Sequence, residues 1–303
     1  MQRTKKHIVC PVCKGTPQPQ MNALKTHWYC NRCCLGWIKK VPNVTYKEDY
    51  YSSGSSLLSI VFVPLELLFY KIRESYVGLQ IKNLYIDVGA GDGKFLSHIN
   101  AKKKIGVEIS FSGRKIMEKN GLRTLPPKAF LTSRDMNADY ISFWHVLEHV
   151  DRPMDYIKSA KSNLSNSGKI LIAVPNIDSF ESKLFKKHWF HLTPQYHIWF
   201  FSPSSLKKIF DKIDLQIDRI DYWAIEHHFA GILQSFINFS THTDNVLHKL
   251  IKRKQDLSSL SASTFFWLIF WSTIGLPIVL SFWITASLCR KSGAMVIVAS
   301  KNN

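Results

Sequence analysis

The feature that most constrains this chain is a short apolar run ending in a glycine-rich turn, LYIDVGAGDG at residues 84–93, followed by the helical pattern of residues 94–101. Residues 83–88 read as a buried strand, so strand, glycine turn and helix come in that order. Glycines permit backbone angles closed to other residues and let a ligand approach the main chain. The helix start then offers unpaired N–H donors. A second strand at residues 104–107 ends in Glu108, twenty-one residues after Asp87, where an acid at a strand tip can accept both hydroxyls of a ribose. Neither a third phosphate-binding glycine nor a Lys-Ser/Thr pair follows, which disfavours a nucleoside triphosphate.

Four segments in register carry a family resemblance: IDVGAGDG (86–93), GVEI (106–109), FWHVLEHV (143–150) with Arg152 and Pro153, and GKILIAVPN (168–176). In order and spacing they resemble class I S-adenosylmethionine-dependent methyltransferases, in the branch of ubiquinone-pathway and polysaccharide-cluster enzymes. The resemblance covers residues 83–213 and 293–300. It implies an α/β, Rossmann-like seven-stranded sheet and S-adenosyl-L-methionine as cofactor. Asp87, Gly89, Gly91, Gly93 and Glu108 would belong to the cofactor site, with Glu108 holding the ribose and Asp135 matching the acid near the adenine. His145 would stand at the tip of the fourth strand beside the sulfonium, with His149 close by; packing at a helix start is the alternative for both. Residues 183–206 resemble the lid over the acceptor in this branch. In the similar sugar C-methyltransferases a histidine in the lid acts as base, and His197 occupies that position, but the preceding Glu is Tyr196 here. His197, His145 and His149 are therefore the candidate general bases.

Charge and cysteine are concentrated at the N-terminus. Residues 1–47 contain nine Lys or Arg and no Asp or Glu, within a formal net charge of +18, and five of the six cysteines lie there. Cys10, Cys13, Cys30 and Cys33 are spaced C-x2-C-x16-C-x2-C. Two knuckles of this kind converge on one ion, so the spacing predicts a structural Zn²⁺ closed by four thiolates, with Cys34 spare and His27 a less favoured substitute. No apolar signal segment is expected to send the chain to an oxidising compartment, which argues against disulfides. The basic balance points to an anionic partner: nucleic acid, phospholipid headgroups or phosphorylated small molecules.

Residues 265–288 contain twenty-four residues without a charge, with Gly275 and Pro277 in the middle, Lys252, Arg253 and Lys254 before them and Arg290 and Lys291 after. The pattern predicts a re-entrant hairpin of two half-length helices entering the cytoplasmic face of a membrane, in a monotopic or peripheral protein. A helix pair buried against the sheet or in a dimer interface is the alternative. Domains are expected at 1–45 (zinc ribbon), 46–82 (linker and a covering helix from residue 57), 83–222 with 292–303 (methyltransferase) and 223–291 (apolar insert). The acceptor expected from this arrangement is a lipid-linked glycan, a lipid headgroup or a polyprenyl quinone-type compound, with O-methylation as the reaction. A ribosomal-RNA guanine methyltransferase, reading nucleic acid through the ribbon with Trp28, Tyr29 and Trp37, is the rival that the insert disfavours; a nucleotide-sugar C-methyltransferase is another. The oligomeric state stays open.

Overall fold

The computed structural model describes residues 8–22, 24–40, 57–77, 81–193, 196–223, 225–251 and 257–302. The expected linker at 46–56 and the basic run at 252–254 lie outside them. In chain order the elements are β1 (His27–Cys30), β2 (Leu35–Ile38), α1 (Leu57–Glu74), β3 (Ile81–Val88), α2 (Lys94–His98), β4 (Ala101–Val107), α3 (Phe111–Lys119), β5 (Arg123–Leu125) and α4 (Pro127–Thr132). There follow β6 (Ala138–Trp144), α5 (Pro153–Asn163), β7 (Leu164–Pro175), α6 (Phe180–Phe185), β8 (Trp199–Phe200), α7 (Pro203–Asp211) and β9 (Leu215–Asp221). The chain ends with α8 (Ile225–Thr241), α9 (Val246–Ile251), α10 (Ala262–Ser272), α11 (Leu276–Leu288) and β10 (Ala294–Lys301). These elements form two compact units, one from residues 1–42, 175–209 and 221–295, the other from 43–174, 210–220 and 296–303.

The sheet unit is built on seven strands in the order β5-β4-β3-β6-β7-β10-β9. The last strand of the chain thus inserts between β7 and β9. Strands β5, β4, β3, β6 and β7 pair in parallel, with Ile86 beside Ile105 and Val88 beside Phe143. A central parallel strand is covered on both faces, and residues 84–88 are buried without alternation for that reason. The core under β3 gathers Tyr85, Phe95, Leu96, Ile99, Met117 and Leu171. The covering helix α1 ends over this core: the Arg73 guanidinium lies 5.4 Å from the Phe95 ring centre and 5.1 Å from that of Trp144.

Two local expectations shift. The helix after the glycine turn stops at His98 instead of 101, and β4 begins at Ala101 instead of 104. Lys102 and Lys103 are exposed at the strand's start, and a lysine run hides a strand from a search for apolar residues.

In the ribbon unit β1 and β2 form an antiparallel hairpin with Trp28 opposite Trp37, and β8 joins β2 as a third strand. Its core contains Met21 from the ribbon with Ile177, Phe185, Trp189, Leu192 and Phe200. Helices α10 and α11 both pack on α8, where the Trp271 indole stacks on Phe236 at 4.4 Å and its N–H donates to Ser240 Oγ at 2.9 Å. The apolar run is broken between Ser272 and Leu276, where the sequence placed a break, and the two axes bend by 59°. Among the described residues no single helix is long and apolar enough to cross a membrane.

Candidate active site and metal centre

The glycine turn leaves β3 with Gly89, Gly91 and Gly93 all at positive φ. Gly89 is constrained twice over: its φ is +78°, and a Cβ there would stand 2.4 Å from Val146 Cγ2. This close approach brings the turn against the segment that follows β6, so the two ligand-facing loops meet only because position 89 lacks a side chain.

Glu108 ends β4 beside this turn and is buried. Its Oε2 accepts the Gly91 N–H at 2.9 Å and its Oε1 accepts the Ser110 N–H at 2.8 Å. Burial raises its pKa and these N–H donors lower it, with burial prevailing. A carboxylate oxygen has two lone pairs, so each still has room for one hydroxyl donor. Ile109 and Phe111, immediately after it, are 63% and 58% exposed, an uncovered apolar surface beside an acid that suits a nucleoside. Asp87 is different: it is buried, accepts the Ser142 hydroxyl at 2.6 Å, and burial pushes its pKa up to about 6. Its visible role is to tie β3 to β6.

Asp135 requires a correction. It precedes β6, whose first residue is Ala138, and so lies at the N-terminal edge of the parallel strands, whereas residues 89–93 follow β3 at the C-terminal edge. It cannot serve the same cofactor. The segment that follows β5 at the correct edge begins Pro126, Pro127, Lys128 and offers no acid. A cavity of about 810 Å³ does lie near the N-terminal edge, lined by Lys102, Lys103, Lys104 and Arg123. None of residues 89–93 lines it.

His145 directly follows β6 at φ +56°, a region non-glycine residues seldom adopt and functional sites often do. Its Nδ1 is 3.2 Å from Glu148 Oε1, and Glu148 is fully buried. The carboxylate holds the ring with its proton on Nδ1 and the lone pair on Nε2. The sequence reading missed Glu148 as a partner; its signal was the spacing of three residues between the His and the Glu. His149 donates its backbone N–H to Val146 O and belongs to the same turn.

His197 lies in the ribbon unit, within the lid-like segment. Its Nδ1 donates to the His191 carbonyl at 2.7 Å, so here too Nε2 carries the lone pair a proton acceptor needs. The lid-like segment is not one element: α6 ends at Phe185, a 3-10 turn covers Lys186–His188, and β8 begins at Trp199.

The four cysteines converge as their spacing predicts. Cys10 Sγ and Cys33 Sγ are 3.9 Å apart and Cys13 Sγ and Cys30 Sγ 3.5 Å, close to the roughly 3.8 Å between sulfurs of a tetrahedral site with Zn–S near 2.3 Å. Burial and the neighbouring sulfurs raise Cys30 and Cys33, while at Cys13 the Gly15 N–H and the other thiols outweigh burial and bring it to about 7. Crowded sulfurs of this kind ionise together only around a cation, and the donor set fits zinc. His27 is not among them: it is buried edge-on to Phe200 at 5.2 Å.

These features define the sheet unit's class. Residues 78–220 match the model of a methyltransferase domain family, and the chain carries a class I S-adenosylmethionine-dependent methyltransferase domain. An uncharacterized protein of Methanocaldococcus jannaschii is 35% identical over 103 residues, which are 34% of this chain and 49% of that protein. The match thus spans about half the length of that relative. Among solved structures, the complex between the Haloferax volcanii Trm112 methyltransferase activator and a methyltransferase is similar at TM-score 0.51 and 12% identity, over 86% of this chain and all of the matched one. Coclaurine N-methyltransferase bound to N-methylheliamine and S-adenosylhomocysteine is similar at TM-score 0.50 and 12% identity, over 86% and 80%. At this identity both establish the fold alone.

Proposed function

We propose that this chain is an S-adenosylmethionine-dependent methyltransferase working at the cytoplasmic face of a membrane, where it O-methylates a lipid-linked glycan, a lipid headgroup or a polyprenyl quinone-type acceptor. One observation carries the location. On α10 and α11 the side opposite α8 is apolar and open: Phe265, Phe266, Ile269, Ile278, Ile284 and Leu288 are 42% to 68% exposed, in a run without charge that ends at Arg290 and Lys291. An uncovered surface of this kind is stable against acyl chains, and the flanking cations suit anionic headgroups. The bent pair lies in the interface plane in this reading and does not cross the bilayer.

When bound, the cofactor supplies a methyl already activated on a sulfonium. What remains for the protein is to hold the acceptor in line and remove a proton. Glu108 holds the ribose, the turn at 89–93 passes under the methionine part, His197 Nε2 takes the acceptor proton, and His145, held by Glu148, is the second candidate. Tyr196, where the sugar C-methyltransferases place a Glu, disfavours carbon as the acceptor atom.

The test is flotation with vesicles containing phosphatidylglycerol, comparing wild type with Phe266→Ser combined with Ile278→Ser. Flotation lost in the variant, with S-adenosylmethionine affinity unchanged, supports the reading. A wild-type protein that stays at the bottom of the gradient and pellets with ribosomes supports the RNA alternative. Mass spectrometry of lipid and glycan extracts for a 14 Da difference then identifies the acceptor.

A further inference from the structure

Strand β8 has two residues, Trp199 and Phe200, and begins two residues after His197. So short a strand does not hold itself in place. Among the described residues its sheet partner is β2, the second strand of the ribbon hairpin. Gly36 lies beside Phe200 and Trp37 beside Trp199, and the Ile38 N–H donates to the Ile198 carbonyl at 3.0 Å. Gly36 has to be a glycine for this contact, because a Cβ there would meet Met21 Sδ at 2.1 Å and Phe200 Cβ at 3.2 Å. Strand β2 in turn starts directly after the second cysteine knuckle. The carbonyl of Cys33 itself accepts two hydroxyls from beyond β8: Ser204 Oγ at 3.0 Å and Ser202 Oγ at 3.3 Å. The next knuckle carbonyl, that of Arg32, accepts Lys208 Nζ.

We infer that the zinc ribbon is the positioning element of the lid: the metal-held knuckle at Cys33 fixes β2 and the Ser202 and Ser204 hydroxyls, these fix β8, and β8 fixes His197. The ribbon touches no reactant in this scheme. Its metal acts through geometry, because the backbone of residues 197–204 is pinned at one end by the His197 contact to the His191 carbonyl and at the other by the Cys33 carbonyl. The catalytic consequence rests on His197 as the base; the coupling of metal to lid does not.

Ser204→Ala is the cleanest probe, since Ser202 also accepts the Ser205 N–H and so caps α7. We expect the variant to keep one equivalent of zinc and wild-type S-adenosylmethionine affinity. Amide exchange at residues 198–202 should be faster, and kcat about fivefold lower, as the loss of one hydrogen bond implies. Ser204→Thr should restore both. Removing the metal from the wild-type protein with a chelator should speed exchange at 198–202 at least a hundredfold while the amides of β3, β4 and β6 stay protected. Unchanged protection at 198–202 after metal removal would overturn the inference, as would Ser204→Ala exchanging and turning over like wild type. The base assignment fails separately: if His197→Ala stays active while Ser204→Ala is slow and loose, the ribbon still holds the lid and the proton acceptor lies elsewhere.

Discussion

In the sheet unit burial raises two carboxyls, Asp87 and Glu108; in the ribbon unit the most displaced histidine is His27, which burial and then Lys39 lower to about 4. The contrast follows from how each unit is built. A parallel sheet places its strand tips in a dry interior, and a carboxylate there resists ionisation. The ribbon is small and rich in lysine, so a histidine packed against Phe200 stays neutral. Asp178, at the foot of α6, follows a third logic: burial raises it, but Lys183 and Lys291 outweigh burial and hold it low. The two units should therefore respond to acid in opposite directions.

The largest test removes a buried partner from the ribbon unit. Glu181 is fully buried, accepts the Gly293 N–H at 2.7 Å and lies 2.8 Å from His228 Nε2. Glu181→Ala leaves the buried Gly293 N–H without its acceptor and the buried His228 without the carboxylate beside it, and should cost about 3–5 kcal/mol, read by urea unfolding. If amides of the sheet unit lose protection to the same extent as those of the ribbon unit, the two do not respond independently.

Next comes the pH comparison. The folded pKa of Asp87 is raised, from 3.8 to about 6. Its contribution is complete below pH 3.8 and lost as pH rises through 6, about 3 kcal/mol over that window. The folded pKa of His27 is depressed, from 6.5 to about 4. Its contribution is complete above pH 6.5 and lost as pH falls toward 4, again about 3 kcal/mol. Amide exchange resolved by unit between pH 4 and 6.5 should show slopes of opposite sign. Asp87→Asn should flatten the sheet unit's slope and His27→Gln that of the ribbon unit; parallel slopes in the wild type would break the comparison.

His197→Ala should lower kcat by about 100-fold, roughly 3 kcal/mol in barrier, while leaving cofactor affinity intact, since a general base acts only in the chemical step. A silent His197→Ala together with an inactive His145→Ala moves the base to the tip of β6. The smallest effect is expected from Glu108→Ala, which should weaken S-adenosylmethionine binding by about 1.5–3 kcal/mol through lost charge-assisted hydrogen bonds. Calorimetry reads it, and an unchanged affinity would remove Glu108 from the cofactor site.

Much of this molecule was legible in its one-dimensional pattern because the signals are local. The strand, turn and helix at 84–98, the acid at 108, the paired cysteine knuckles and the break in the apolar run all depend on neighbours a few residues apart. The four sulfurs meet because two tight turns of fixed geometry have few ways to share an ion. Tertiary structure alone decided the rest. Only strand direction shows that Asp135 lies at the wrong edge of the sheet, because a residue's edge depends on where its strand begins in space and not on its distance from a motif. The pairing of β2 with β8 spans about 160 residues of chain, and the bonds from Ser202 and Ser204 to Cys33 are as remote. Contacts of that separation leave no periodicity in the sequence. They exist because folding closes the loops between them.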